Sequence, residues 1–279
     1  MSSSAQRTER VSPTAYATGY FWYKHGLSHP ALATKQGKRL DRPFGLLMKV
    51  LGGNVFQNLM LARHRSIDAL LTRAIEDGRV TQVIEIAAGL SGRGVRMMQK
   101  YGDRLTYLET DLPQMAELKR KLLADASLLG PRHQVLTLNA LADQGPGSLA
   151  EIAGKLDPQA GTALITEGLM NYLDPETARS VWQRIARNLK RFPHGLYLAD
   201  VYFMQQNRGL AARVFGGVIQ AFVRGRMHIH FESAEHGAGL MKEAGFGSAT
   251  IHEIRDLPET REIGGQPGGE RVRALEAWC

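Results

Sequence analysis

Residues 80–94 read Val-Thr-Gln-Val-Ile-Glu-Ile-Ala-Ala-Gly-Leu-Ser-Gly-Arg-Gly, a short apolar run that leads directly into a glycine-rich turn. The first seven residues are rich in β-branched side chains, which favours a buried strand over 80–86. The glycines that follow predict a tight turn into a helix over 92–101. A strand, a glycine-rich loop and a helix in this order form the first ligand-binding unit of an open α/β sheet.

The same alternation continues on both sides of this unit. The predicted helices are 57–77, 92–101, 113–128, 148–155 and 175–191, and the predicted strands are 80–86, 105–110, 134–138, 163–167 and 196–202. Strands separated by helices pair in parallel, because each helix carries the chain back to the same edge of the sheet. We therefore expect a parallel sheet with helices on both faces.

The C-terminal end breaks this alternation. Two strand-like segments, 249–254 and 272–278, are joined by a Gly- and Pro-containing region without a predicted helix, so we expect an antiparallel hairpin at the sheet edge. The predicted fold is α/β: a Rossmann-like, seven-stranded, mostly parallel sheet with an antiparallel last strand and an N-terminal helical cap. We divide the chain into a cap or lid, 1–56, and a class I methyltransferase-like domain, 57–279, with an insertion at about 204–230.

The composition is typical of a globular protein. The 279 residues include 35 Lys and Arg against 27 Asp and Glu, a net charge of +8. The beginning of the sequence is polar, and the longest nearly apolar run, 214–223, is about half of the roughly 20 residues that a membrane helix needs. The only cysteine is Cys279, which argues against disulfides, a zinc cluster or cysteine catalysis. We expect a cytoplasmic protein with no metal and no membrane contact.

The glycine-rich turn differs from the dinucleotide fingerprint G-x-G-x-x-G. Gly89, Gly92 and Gly94 run G-x-x-G-x-G, and Ala87 stands where the first glycine would be. Glu85 lies four residues before Gly89, in the E-x-x-x-G form that is typical of S-adenosylmethionine sites. In that interpretation the Glu85 carboxylate binds the cationic amino-acid end of the ligand. An ordinary strand-to-helix turn would also contain glycine.

Two acids close the second predicted strand. Glu109 and Asp111 follow the glycine-rich turn by about 20 to 25 residues, the spacing at which a strand-end acid binds ribose hydroxyls. Both residues qualify for this role. The alternative for Asp111 is a helix cap, because it directly precedes the helix that starts at Pro113.

Four segments in order carry a family resemblance. They are Ala-Arg-His-Arg-Ser-Ile-Asp at 62–68, Ile-Glu-Ile-Ala-Ala-Gly-Leu-Ser at 84–91, Tyr-Leu-Glu-Thr-Asp-Leu-Pro at 107–113 and Ile-Thr-Glu-Gly-Leu-Met-Asn-Tyr-Leu at 165–173. Over roughly residues 55–175 the chain resembles the leucine carboxyl methyltransferase family. It is most similar to a bacterial branch of small-molecule O-methyltransferases linked to polyketide metabolism.

The resemblance implies a role for several residues. Arg63 would pair with the carboxylate of S-adenosylmethionine, a group that a guanidinium binds well. Asp111 would hold the ribose, and Glu167 would face the methionine moiety near the sulfonium. Arg65 lies on another helix face and is expected to be a surface charge.

The resemblance also implies an adenine site after the third strand. Asn139, Ala140 and Leu141 would flank the adenine ring. An acidic residue is usual in this region of the family, and Asn139 departs from that pattern. Asp143 is the substitute that the sequence offers.

The acceptor side is less defined. Tyr16 and Tyr20 belong to an aromatic N-terminal segment that would either line the pocket or pack against the sheet. Tyr172 would face the acceptor or support its own loop. His228 and His230 are general-base hypotheses, and surface histidines are the alternative. The sequence names no catalytic residue beyond the candidates Tyr172, Tyr20 and Tyr16.

The predicted function is S-adenosylmethionine-dependent transfer of a methyl group to a carboxyl or hydroxyl oxygen of a small molecule. One alternative is an NAD(P)-dependent oxidoreductase, which the missing fingerprint and the reversed last strand disfavour. A nucleic-acid methyltransferase is another, but the fourth strand ends in Thr-Glu-Gly-Leu at 166–169 rather than in an Asn/Asp-Pro-Pro-aromatic motif. A cofactor-binding protein without turnover is the third.

The positive charge is concentrated in two segments. Residues 1–45 carry a net charge of +5 and residues 201–230 carry +4, so the remainder is close to neutral. Both segments are expected to border the acceptor site. This distribution predicts an anionic acceptor or an acidic carrier on the cap side, with a solvated basic rim as the alternative.

Overall fold

The computed structural model describes residues 13–41, 45, 54–203 and 227–279. The helices that lie wholly within these ranges are α1 (Pro13–Lys24), α2 (Val55–Glu76), α3 (Arg93–Tyr101), α4 (Pro113–Asp125), α5 (Leu149–Ala153), α6 (Pro175–Leu189), α7 (Ala234–Ala244) and α8 (Arg261–Gly264). The strands are β1 (Gln82–Ile86), β2 (Thr106–Asp111), β3 (His133–Thr137), β4 (Thr162–Thr166), β5 (Gly195–Val201), β6 (Ser248–Glu253) and β7 (Arg273–Trp278).

All seven strands form one sheet in the order β3-β2-β1-β4-β5-β7-β6. Strands β1 to β5 are parallel, whereas β7 runs antiparallel to both of its neighbours. The predicted α/β fold and its reversed last strand are therefore confirmed. The chain order changes direction at β1, so the carboxyl ends of β1, β2 and β4 meet at one edge of the sheet.

The central strands β1, β4 and β5 are buried on both faces, because their alternate side chains enter different cores. Ile84 and Leu164 pack toward α5, α6 and α7 in one hydrophobic cluster. Val83 and Ile165 belong to a second cluster with α2 and α3 on the other face. The helices thus hold the sheet as the middle of three layers, and its loop-bearing edge stays open for a site.

Helix α1 packs closely on the loop after β1. Trp22 is buried in a cluster with Leu59, Met60 and Leu61 of α2. A methyl group placed on Gly19 would lie 2.5 Å from the Cβ atom of Leu90. Glycine at this position is what lets the backbone of α1 approach the loop, so the N-terminal helix is joined to the sheet domain by packing.

The predicted division into a cap and a domain falls partly outside the described residues. Of the predicted cap, residues 1–12, 42–44 and 46–53 lie outside them, and so do residues 204–226 of the predicted insertion. The chain enters and leaves that insertion at Phe203 and Met227, and Phe203 forms a β-bridge with Phe231. The cap and insertion boundaries remain predictions.

Across the described ranges, we find no helix that combines the length and the hydropathy needed to cross a bilayer.

The Gly19 contact gives a stability prediction. Gly19→Ala forces the helix and the loop apart, and overpacking of this kind costs about 1–3 kcal/mol. We expect the free energy of unfolding, measured by urea denaturation, to fall by that amount. Gly239→Ala is the control, since its new methyl group meets no atom within 4 Å and alanine is the better helix former. Equal stability of the two variants would contradict the close packing of α1.

Candidate functional site

The loop after β1 and the end of β2 are joined through one carboxylate. The Asp111 side chain accepts hydrogen bonds from the backbone N–H of Gly89 (2.8 Å) and of Leu112 (2.8 Å). Burial raises the pKa of Asp111, and the two N–H donors only partly offset this. Leu112, rather than Asp111, is the N-cap residue of α4, and no side chain among the described residues caps that helix end. The structure therefore places Asp111 against the glycine-rich loop, and its role in ribose binding remains a prediction.

A buried guanidinium forms the centre of the neighbouring charge cluster. Arg93, the first residue of α3, is fully buried and bonds three carboxylates. Its Nη1 lies 2.5 Å from Glu85, its Nε lies 2.6 Å from Asp68, and its Nη2 pairs with Glu167. The second oxygen of Glu85 accepts a hydrogen bond from the Tyr107 hydroxyl at 2.7 Å. Both Glu85 oxygens are thus taken inside the protein.

This geometry favours a structural role for Glu85, and the direct ligand contact that we predicted for it remains a prediction. The residue lies within β1 with almost no exposed surface, and its partner is Arg93 rather than a bound amino group. Its link to the site is indirect, through the guanidinium that it shares with Glu167.

Arg63 lies where α2 meets the ends of β4 and β5. Its Nε donates to Glu167 at 3.0 Å, and its Nη1 is 3.7 Å from Asp200. The Arg63 side chain keeps a small exposed fraction, whereas Arg65 on the same helix is exposed to solvent, as expected. Asp200 also accepts a hydrogen bond from the N–H of Gly168 at 2.7 Å. A cation flanked by two acids suits a zwitterionic amino-acid group.

The two acids beside Arg63 differ in ionisation. Burial alone would raise the pKa of Glu167, but His64, Arg93 and Arg63 outweigh it and hold the pKa well below its usual range. Burial raises the pKa of Asp200, because Arg63 and the Gly168 N–H only partly compensate. Glu167 is therefore the fixed negative charge of this edge.

Glu109 lies on the far side of the glycine-rich loop. Its carboxylate pairs with Lys119 and with His133, whose Nε2 is 2.8 Å away, and all three side chains are buried. Burial would raise the pKa of Glu109, yet Lys119 and His133 together lower it. These buried pairs favour a structural role for Glu109, and the ribose role that we allowed for it remains a prediction. Asp111 keeps that prediction.

The segment after β3 lies beside Asp111. The N–H of Leu138 donates to the Asp111 carbonyl, and the Asn139 side chain accepts from the Leu141 N–H at 3.0 Å. Ala140 is half-buried, and Leu141 is 49% exposed at the sheet edge. An exposed leucine here suits an aromatic ring, and the adenine contacts of these three residues remain predictions.

Asp143, the predicted substitute for the usual acid, is engaged elsewhere. Its carboxylate bonds Arg184 (3.2 Å) and Arg187 (2.5 Å) on α6. These contacts satisfy its charge at the protein surface and favour a structural role.

Tyr172 ends a 3-10 turn, Met170–Tyr172, that follows β4. Its side chain is 41% exposed and lies in the electrostatic field of Arg63 and Asp200. Burial raises the pKa of the Tyr172 hydroxyl; Arg63 opposes the shift and Asp200 adds to it. The hydroxyl is therefore protonated at neutral pH and can donate a hydrogen bond.

The two N-terminal tyrosines pack within the cap region. Tyr16 lies partly buried against the cluster that contains Leu32 and Leu90. The Tyr20 ring is 6.0 Å from Tyr23, and its Cβ lies beside Gly37. These contacts favour the packing interpretation, and a pocket role for either residue remains a prediction.

His228 and His230 hydrogen-bond the segment that follows the insertion to the turn at Met170–Tyr172. The N–H of His228 donates to the Asn171 carbonyl at 2.8 Å, and His230 Nε2 donates to the Met170 carbonyl at 2.9 Å. Burial lowers the pKa of His230. The histidines hold the turn that carries Tyr172, and a role as general base remains untested.

Sequence reasoning missed four members of the cluster: His64, Asp68, Arg93 and Asp200. His64 and Asp68 are four residues apart on the buried side of α2, where the apolar pattern predicts a hydrophobic contact. Two ionisable residues on an apolar helix face need a partner, and this was the available signal. The partner itself, Arg93, comes from a different element and is not visible in local spacing.

Solved structures share this fold. A crystal structure of a Thermobifida fusca YX protein, provisionally described as a methyltransferase, aligns with a TM-score of 0.67 over 96% of each chain at 13% identity. An O-methyltransferase family protein from Burkholderia thailandensis aligns with a TM-score of 0.53 over 97% of this chain and 72% of that one, at 17% identity. With the reversed β7, these matches define the fold as that of the class I methyltransferases.

The family follows from the sequence. The model of the leucine carboxyl methyltransferase family matches residues 43–186, just over half of the chain, and the chain belongs to this family. The matched range contains Arg63, Gly89, Asp111 and Glu167.

A Mycolicibacterium gilvum protein, whose name assigns it provisionally to the S-adenosyl-L-methionine-dependent methyltransferases, is 36% identical over 126 residues. That match covers 45% of this chain and 39% of the relative. The chain spans about two fifths to a half of the length of the curated relatives it matches.

Arg93 gives a second stability prediction. Arg93→Leu leaves three buried carboxylates without their shared cation, and breaking a buried pair in this way costs about 3–5 kcal/mol. We expect the free energy of unfolding from urea denaturation to fall by that amount.

The control for Arg93 is the exposed ion pair that Lys100, on the same helix, forms with Glu76 of α2. Lys100→Met removes the 2.8 Å contact with Glu76, and exposed pairs contribute little to stability. If Arg93→Leu cost no more than Lys100→Met, the guanidinium would not be the anchor that its contacts indicate.

Proposed function

We propose that the protein is an S-adenosylmethionine-dependent O-methyltransferase that acts on a carboxyl or hydroxyl group of a small molecule. The observation that carries the proposal is the grouping of Arg63, Glu167, Gly89 and Asp111 at one edge of the sheet. Family membership supports the same cofactor.

The residues at this edge fit the parts of S-adenosylmethionine. Arg63 would bind the α-carboxylate, and Glu167 would attract the α-ammonium group as the fixed negative charge beside it. Asp111 would accept hydrogen bonds from the ribose hydroxyls. The exposed side chains of Leu112 and Leu141 would contact the adenine from the ends of β2 and β3.

The bound cofactor supplies a methyl group on a positively charged sulfur, and direct displacement by an acceptor oxygen breaks the carbon–sulfur bond. The protein's part is to align the acceptor oxygen with that bond and to exclude water. The protonated Tyr172 hydroxyl would orient the acceptor by donating a hydrogen bond rather than by removing a proton. A carboxylate acceptor needs no base at neutral pH, so this environment favours a carboxyl over a hydroxyl group.

We further propose that the acceptor, or the carrier that presents it, is anionic. Four arginines occur in residues 204–226, which lie outside the described residues. The chain leaves and re-enters the described structure at Phe203 and Met227, next to the turn that carries Tyr172. The position of these two ends supports an acceptor site bordered by positive charge.

The two enzyme alternatives have less support. An NAD(P)-dependent oxidoreductase would be expected to carry the G-x-G-x-x-G turn, and a nucleic-acid methyltransferase would use its basic surface on a phosphate backbone. Weak or absent DNA and RNA binding at moderate salt, together with no calorimetric signal for NAD(H), would remove both.

Arg63 provides the binding prediction. Arg63→Ala should weaken S-adenosylmethionine binding by roughly ten- to hundredfold, since a hydrogen bond to a charged group contributes about 1.5–3 kcal/mol. Isothermal titration calorimetry measures the change. Arg65→Ala, two residues along the same helix and exposed, should bind as the wild type does. Equal affinity of all three proteins would refute the carboxylate assignment.

The reaction is tested with labelled S-adenosylmethionine and a panel of small acids, phenols and alcohols, each in neutral and anionic forms. We expect labelled product from anionic acceptors, with label released by mild alkali, as methyl esters are hydrolysed and methyl ethers are not. Alkali-stable product would assign hydroxyl methylation instead. Cofactor binding without methyl transfer to any acceptor would indicate a cofactor-binding protein without turnover.

A further inference from the structure

His64 is fully buried between the N-terminal helix and the charge cluster. Its ring stacks on Trp22 of α1, with centroids 4.3 Å apart and an angle of 25° between the planes. Its Nδ1 lies 2.8 Å from Glu167 Oε2, and its Nε2 lies 2.7 Å from Arg96 Nη2. One imidazole thus contacts α1, α3 and the end of β4.

The contact between His64 Nδ1 and Glu167 is a hydrogen bond when Nδ1 carries a proton, because a carboxylate can only accept. Arg93 Nη2 lies 3.0 Å from the same nitrogen, and the Asp68 carboxylate lies 3.9 Å from Nε2, beside Arg96. The imidazole is therefore enclosed by two carboxylates and two guanidinium groups, and its contact with Glu167 is the one that reaches the site.

The Glu167 carboxylate is consequently held from two directions. His64 Nδ1 and Arg93 bind its Oε2, whereas Arg63 binds its Oε1 on the site side. Because both oxygens have fixed donors, the carboxyl plane has one orientation. That orientation determines how Arg63 and Glu167 would together bind an amino-acid group.

The N-terminal segment contacts the same network at a second point. Arg96 Nε donates to the Leu27 carbonyl at 3.0 Å, while its Nη2 contacts His64 and Asp68. A methyl group on Gly92 would lie 2.4 Å from the Ser28 Cα, so the segment lies directly on the loop that precedes α3.

We propose that His64 is a positioning residue for the cofactor site and that the Trp22 stack couples docking of α1 to the orientation of Glu167. This inference rests on the proposed function, since it concerns the same S-adenosylmethionine site. It makes the N-terminal helix a part of that site, although its tyrosines pack elsewhere.

The test compares His64→Asn with His64→Leu. An asparagine side chain places an N–H donor near the position of Nδ1 and can still bond Glu167, whereas leucine fills the space without a donor. We expect His64→Leu to weaken S-adenosylmethionine binding by about tenfold, the scale of one lost charge-assisted hydrogen bond, and His64→Asn to restore most of it. Calorimetry with S-adenosylmethionine and S-adenosylhomocysteine gives the affinities, and urea denaturation gives the stabilities.

The role of α1 is tested by Trp22→Leu, with Phe246→Leu as its control. Phe246 is a buried ring stacked on Tyr197 in the other core, so its loss lowers stability without touching the network. We expect a lower affinity for the cofactor in Trp22→Leu and an unchanged affinity in Phe246→Leu at similar losses of stability.

The outcomes separate the two levels of inference. If the wild type binds neither S-adenosylmethionine nor S-adenosylhomocysteine, the proposed function and this inference both fail. If the wild type binds and His64→Leu binds equally well, only the positioning role is wrong. His64→Asn and His64→Leu could lose affinity equally, and so could Trp22→Leu and Phe246→Leu. Either result would show that the contacts stabilise the fold without positioning the cofactor site.

Discussion

The structure depends on the Arg93 guanidinium, which is buried among the carboxylates of Asp68, Glu85 and Glu167. These acids come from α2, from β1 and from the end of β4, so one cation sets the position of the helix relative to two strands. Moving charges out of water is costly, and only complete pairing makes such a cluster tolerable. The pairing also fixes α2 along its axis, which places Arg63 at the carboxyl edge of the sheet.

Much of the fold could be predicted from the sequence because it depends on local patterns. The switch between strand-like and helical periodicity located the strands and the principal helices to within a few residues, and the Gly- and Pro-containing connection before residue 272 located the reversed strand. That connection contains the four-residue helix α8, which the sequence pattern did not predict. The positions of Gly89 and Asp111 followed from the strand–loop–helix spacing. Arg63 followed from the family resemblance, since nothing in its local pattern distinguishes it from Arg65.

The partners of the acids could not be predicted in this way. Glu85, Glu109 and Asp111 all lie near strand ends, and their spacing alone makes each of them a candidate ligand-binding residue. The partners of these acids come from residues distant in the sequence. Arg93 neutralises Glu85, and Lys119 and His133 neutralise Glu109. Asp111 instead accepts hydrogen bonds from backbone N–H groups. Long-range pairing therefore distinguishes the two acids that pair with cations from Asp111, and local spacing contains no record of it.

The bridge between Phe203 and Phe231 has an evolutionary consequence. It closes the chain around residues 204–230 at the sheet edge, so insertions within that segment leave the strands in register. Loop closure depends weakly on length, and doubling such a segment costs only about 0.6 kcal/mol. Descendants of this protein can therefore change the length and charge of this segment while β5 and the ion cluster at the same edge of the sheet are inherited intact.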